Sequence, residues 1–217
     1  FGGVFIFLSF KPTQSMLSKV TFPNPFGFSK PTKEEIQSLQ KKFNFSDEYA
    51  TFLLEQNGFN DLLFFDADYK SFTTNYTGEE PWQMFGGLYG LNSNSDYYDL
   101  IEAQVYTIFE SIFFKIGTDP GGNEFVEVLQ GDKKGWIGCI DHDLYITHET
   151  LNSFLEEVEE ETDYKDLNQL SLEELTEILI SEDFGMMNFH AKSMNEFLAN
   201  CFIIKDQTIL IKDLEAK

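Results

Sequence analysis

Few residues in this chain have the types and spacing to do chemistry. Asp141, His142 and Asp143 stand in a row with His148 just beyond, and His190 is the third of three histidines. A histidine between carboxylates could bind a metal ion or move a proton. The spacing matches no ligand motif, though, and consecutive residues on a strand point to opposite faces, so a polar turn at a strand end is the simpler reading. Asp66 and Asp68 suggest a cation pair, yet no EF-hand series flanks them. Gly121-Gly122 lacks the following Lys-Ser/Thr and helix of a phosphate loop. No G-x-S-x-G elbow accompanies the histidines. The expectation is a chain that is not an enzyme, with no catalytic residue, metal or cofactor.

Cysteine points the same way. Cys139 and Cys201 are the only two, and neither has a Cys or His at metal spacing. Cys139 falls in an apolar run and reads as a small core residue; Cys201 reads as part of the apolar side of a helix. A reducing cytoplasm fits them. The apolar stretch Val4 to Leu8 is too short to span a bilayer, so no membrane anchor is expected.

Charge says more about partners. The chain carries 37 Asp and Glu against 15 basic residues, for a net charge of -22, and every basic residue is Lys. Such a surface repels nucleic acid and anionic membrane and steers basic proteins toward it. Without Arg, the chain has no bidentate fork for phosphate or carboxylate ligands. Folding is not in doubt, because 24 Phe and 9 Tyr supply far more apolar surface than a disordered acidic chain carries.

The elements that must position these residues are legible from periodicity. The capping box Thr32-x-x-Glu35 starts a helix with Ile36, Leu39 and Phe43 on its apolar side. A second begins after Ser46 and ends at Asn57-Gly58, with Tyr49, Phe52 and Leu53 buried. Short apolar runs broken by turn residues then predict strands at 62–65, 85–91, 113–116, 125–129 and 135–140. Residues 97–109 are predicted as a helix between the second and third of these. Asp119-Pro120-Gly121-Gly122-Asn123 and Gly131-Asp132-Lys133-Lys134 are predicted as tight reversals. Further helices are predicted around Leu151 to Val158, after Ser171 and after Ser193, and 208–214 as a last strand. The fold class is therefore α+β: an antiparallel sheet with flanking helices, plus a C-terminal helical extension.

In this order, Lys30-Pro31-Thr32-Lys33-Glu34-Glu35-Ile36, Phe45-Ser46-Asp47-Glu48-Tyr49 and Phe52-Leu53-Leu54-Glu55-Gln56-Asn57-Gly58 resemble the opening of the SMI1/KNR4-like (SUKH) family. The stretch from Phe114 to Phe125 is similar to that family's strand, Gly-rich turn and strand, and Gly135 to Asp143 to the strand that follows. The resemblance covers about 28–160. It implies a core domain over 28–160, preceded by an arm over 1–27 and followed by an acidic helical extension over 161–217 packed on the core. Within the arm, Met16 reads as a candidate start with 1–15 upstream of it. The function implied is that of a bacterial immunity protein, binding and neutralising a cognate basic protein toxin by occlusion; many of the toxins met by that family are nucleases. A regulatory or scaffold interaction module without a toxin is the alternative, as in fungal relatives.

In that fold the opening helices pack on one side of the sheet, leaving the opposite face and its rim for partners. Two polar-aromatic segments are expected near the rim, Asp96-Tyr97-Tyr98-Asp99 and Asp141-His142-Asp143, with Tyr as anchor and carboxylates facing the basic partner. The acidic run from Glu149 to Asp183, with 13 carboxylates and one Lys, reads either as a solvated helix face or as a second docking surface.

Overall fold

The computed structural model describes residues 27–60, 71–74, 83–84, 87–105, 107–205 and 208–209. Two helices open it, α1 (Lys33–Phe43) and α2 (Asp47–Glu55). The box at the start of α1 closes reciprocally: Glu35 N donates to Thr32 Oγ1 at 3.2 Å and Thr32 N to Glu35 Oε2 at 2.6 Å. The Thr32 backbone N–H and, next, its hydroxyl donate to the Glu35 carboxylate, favour the charged form and hold that carboxyl below its ordinary value. Asn44, at φ 63, turns the chain out of α1, and Ser46 Oγ accepts from Tyr49 N at 3.1 Å to begin α2.

The described strands are β1 (Phe59–Asn60), β2 (Ser71–Thr74), β3 (Gln83–Met84), β4 (Gly87–Leu88), β5 (Phe113–Thr118), β6 (Glu124–Val128), β7 (Ile137–Ile140), β8 (Met187–Ala191), β9 (Cys201–Lys205) and β10 (Thr208–Ile209). The later helices are α3 (Leu100–Val105), α4 (Leu151–Glu161), α5 (Leu172–Leu179) and α6 (Met194–Asn200). One antiparallel sheet has the order β1-β4-β5-β6-β7-β8, and a smaller one the order β10-β9-β2-β3. The architecture is α+β, with an antiparallel sheet between helices and more helix in the C-terminal segment.

Side chains alternate across the large sheet and make two cores. Phe114, Ile116, Phe125, Ile137 and Cys139 pack with Ile36, Tyr49, Phe52 and Leu53 of the opening helices and with Met194 and Phe197 of α6. Phe113, Val126, Val128 and Ile140 pack instead with Phe154 and Leu155 of α4 and Leu175 and Leu179 of α5. The face opposite the opening helices is therefore covered where α4 and α5 lie, contrary to the expectation that it stays open. Acidic helices can cover it because their carboxylates take the far side and their leucines the near one.

Several boundaries differ from the sequence reading for local reasons. The helix predicted over 97–109 is a 3-10 turn at Asp96–Tyr98 followed by α3, with Ile108 and Phe109 leading into β5. Asp99 interrupts it: its backbone is extended (φ -75, ψ 129), and the chain beside it pairs with Gly90, which donates to Tyr98 O and accepts from Leu100 N. Strand β8 was not foreseen; it lies in the segment after 161 and pairs with β7. Cys201 opens β9 rather than lying on a helix. The strand predicted at 62–65, the Asp66 and Asp68 pair, and residues 1–26 and 210–214 lie outside the described residues. No helix among the described residues is long and apolar enough to cross a membrane.

Candidate partner-binding site

After β4 the chain makes the Asp96–Tyr98 turn and splits the predicted cluster into surface and structural residues. Tyr97 is 65 % exposed and Tyr98 only 3 %; their rings meet edge to face at 4.8 Å. Tyr98 continues inward to Tyr89, 6.4 Å between centroids. Asp96 is exposed. Asp99 is committed to the backbone, its Oδ1 accepting from Ile101 N at 2.9 Å and from Glu102 N at 3.3 Å at the start of α3. Of the four, Asp96 and Tyr97 are the ones offered to a partner.

The second segment follows β7. Asp141 Oδ1 accepts from Asp143 N at 3.0 Å and starts a 3-10 turn, His142–Leu144. Because the backbone curls here, the three side chains do not diverge as they would on a strand. Their ligand-type atoms lie within 4.8 Å of one another, so Asp141, His142 and Asp143 are the group among the described residues that could hold a metal ion. Each already has protein partners. Asn123 Oδ1 accepts from His142 N at 3.3 Å and stands 3.1 Å from His142 Nδ1, while Nε2 is 3.2 Å from Asp143 Oδ1. Asn123 is in turn fixed by Asp119, whose carboxylate accepts from Asn123 N and Nδ2, both at 2.9 Å. The predicted reversal at 119–123 thus positions His142, a link that joins residues 19 apart in sequence. His148 belongs elsewhere, 3.5 Å from Glu157 and edge-on to Phe154 of α4.

Two residues that sequence reasoning missed stand beside this turn. Leu144 is 48 % and Ile146 63 % exposed, a pair of apolar side chains next to Asp141 and Asp143. No periodicity marks them, since they lie in a turn. Beneath the surface, Tyr89, Tyr145 and Glu124 interact electrostatically, and Tyr89 also senses Tyr97 and Tyr98. Burial first, and Glu124 next, push the phenols of Tyr89 and Tyr145 well up. Glu124 forms an ion pair with the buried Lys115 of β5.

The acidic run is partly structural. Glu159 Oε1 accepts from Leu167 N at 2.6 Å, Glu177 Oε1 from Asp132 N at 2.7 Å, and Glu174 Oε2 from Ser171 N at 3.0 Å. The last pairing includes the Ser171 hydroxyl, which lowers the Glu174 carboxyl pKa most. Glu156, Glu157, Glu160, Glu161, Glu182 and Asp183 remain exposed. Comparison of the chain with protein-family models, with curated proteins and with solved structures finds no match.

Proposed function

We propose that this chain is an immunity protein of the SMI1/KNR4-like kind, which binds a cognate basic protein toxin in the cytoplasm and neutralises it by occlusion. The observation that carries the reading is the pairing of a net charge of -22 with exposed anchors set among carboxylates: Tyr97 beside Asp96, and Leu144 and Ile146 beside Asp141 and Asp143. Tight interfaces use such a pattern, an aromatic or apolar anchor within a charged surround. The order of the opening helices, the Asn57-Gly58 stop and the Asp119–Asn123 turn also supports the family resemblance. In this reading the chain acts by binding alone, without cofactor or turnover and without nucleic acid or membrane as partner.

Co-expression with the toxin encoded beside its gene tests this. Restored growth together with a one-to-one complex of purified proteins is the expected result. Unimpaired killing, or a gene with no toxin gene beside it, overturns the reading in favour of a regulatory or scaffold module.

A further inference from the structure

A carboxylate with no solvent contact sits at the junction of the opening helices and the sheet. Glu127, in β6, is 0 % exposed. Its Oε1 accepts from Ser46 N at 2.6 Å and its Oε2 lies 2.9 Å from Ser46 Oγ, so one side chain ties the start of α2 to a central strand 81 residues away. We propose that Glu127 and Ser46 form a proton-operated latch: the protonated carboxyl keeps the α1–α2 pair seated on the sheet, and loss of the proton lets the pair open more readily.

The groups around the latch decide its direction. Lys134, from the β6–β7 turn, attracts the anion, and Glu48 of α2 repels it. Tyr49 of α2 also interacts with it, and its buried hydroxyl finds no hydrogen-bond partner among the described residues. Lys41 and Asp47 line the open surface cavity of about 510 Å³ outside Ser46, together with Lys134. His190 of β8 packs at a tilt against Phe125 of the same face, 5.4 Å between ring centroids, and burial lowers it to about 4, leaving it neutral throughout the relevant range. Against these, burial outweighs both Ser46 bonds and pushes Glu127 up to about 7. An ionised Glu127 is then a buried charge that makes no ion pair among the described residues, which is costly unless the junction opens to water. The cavity supplies the route, and Glu48 passes the movement on, since its Oε2 accepts from Asn195 N of α6 at 3.0 Å.

The sign follows from linkage. Below the ordinary carboxyl range the closed and open states both hold the proton and nothing is lost. As pH rises, the open state releases its proton first, and the closed state loses ground until pH passes about 7. Between pH 5 and pH 8 the opening constant should rise on the order of a hundredfold.

Carboxyl NMR and amide hydrogen exchange on the full chain test this. The Glu127 carboxyl is expected to titrate near neutrality. Protection factors of Phe52 and Leu53, corrected for intrinsic rates, should fall on the order of a hundredfold from pH 5 to pH 8, more than those in the β6–β7 ladder. Glu127→Gln should abolish that dependence. A Glu127 midpoint in the ordinary carboxyl range, or the same pH dependence in E127Q, overturns the proposal. Should E127Q fail to fold, Ser46→Ala decides: loss of a bond that favours the anion must raise the Glu127 midpoint, and an unchanged midpoint counts against the latch.

Discussion

Asn57 shows how much one side chain can join. It is 1 % exposed, its Nδ2 donates to Ser29 O at 2.6 Å and Leu91 O at 2.9 Å, and its Oδ1 accepts from Leu91 N at 2.8 Å. The backbone there is left-handed, φ 58, which Asn tolerates better than most residues. Next to it, a Cβ on Gly90 would run into the Asn57 carbonyl oxygen, so glycine is required where the loop crosses. Asn57→Ala leaves a buried amide and a buried carbonyl unpaired and strains the backbone; we expect a loss of about 3 kcal/mol in urea unfolding. A loss under about 1 kcal/mol would mean that water replaces these bonds at little cost. In the sequence, Asn57-Gly58 was legible only as a helix stop. Its role as a clamp was not, because the partners lie 28 and 34 residues away and no local pattern encodes them.

Elements that carry their own end signals were the legible ones. The boxes at Thr32 and Ser171 close as their spacing requires. At Ser193 the box shifts by one residue: Glu196 N donates to Ser193 Oγ at 3.3 Å, but the Glu196 carboxylate accepts from Lys192 N at 2.8 Å. Where tertiary pairing overrides propensity, periodicity fails, as at Asp99, which leaves the helix to pair beside Gly90. Strand β8 was invisible for a related reason: it is an edge strand of mixed burial with no clean alternation. Helix α3, cut to six residues, is held through Gln104, whose amide accepts from Lys115 N at 3.1 Å and donates to Lys115 O at 2.9 Å. That side chain completes the ladder of β5 beyond the end of β4. Gln104→Ala removes both partners from a buried strand residue, and thermal or urea unfolding should show a loss of roughly 2 to 4 kcal/mol. Gln104→Glu keeps the shape but faces Lys115 O with an acceptor, so it should be no better tolerated.

At the scale of the molecule, helices cover both faces of the sheet while Tyr97, Leu144 and Ile146 reach solvent from turns after its strands, and the charge of -22 gives that surface a long-range field. Field and anchors affect different rate constants. Carboxylates at the edge steer encounter, so Asp96→Lys should slow association with the proposed basic partner and flatten its dependence on salt. Tyr97 has its ring in water when free and would bury it when bound, so Tyr97→Ala should leave association nearly unchanged and speed dissociation about thirtyfold, the equivalent of roughly 2 kcal/mol. The neighbouring positions cannot serve as probes. Tyr98→Ala would empty a core site at a cost of about 3 kcal/mol or more, and Asp99→Lys would remove the side-chain cap of α3. Surface plasmon resonance with the proposed partner, at two salt concentrations, separates the two effects. If Asp96→Lys and Tyr97→Ala both leave the kinetics untouched while the complex still forms, the turn at Asp96–Tyr98 is outside the interface. Leu144→Ser and Ile146→Ser then test the Asp141–Asp143 turn, and charge reversal at Glu156 and Glu160 tests the exposed side of α4.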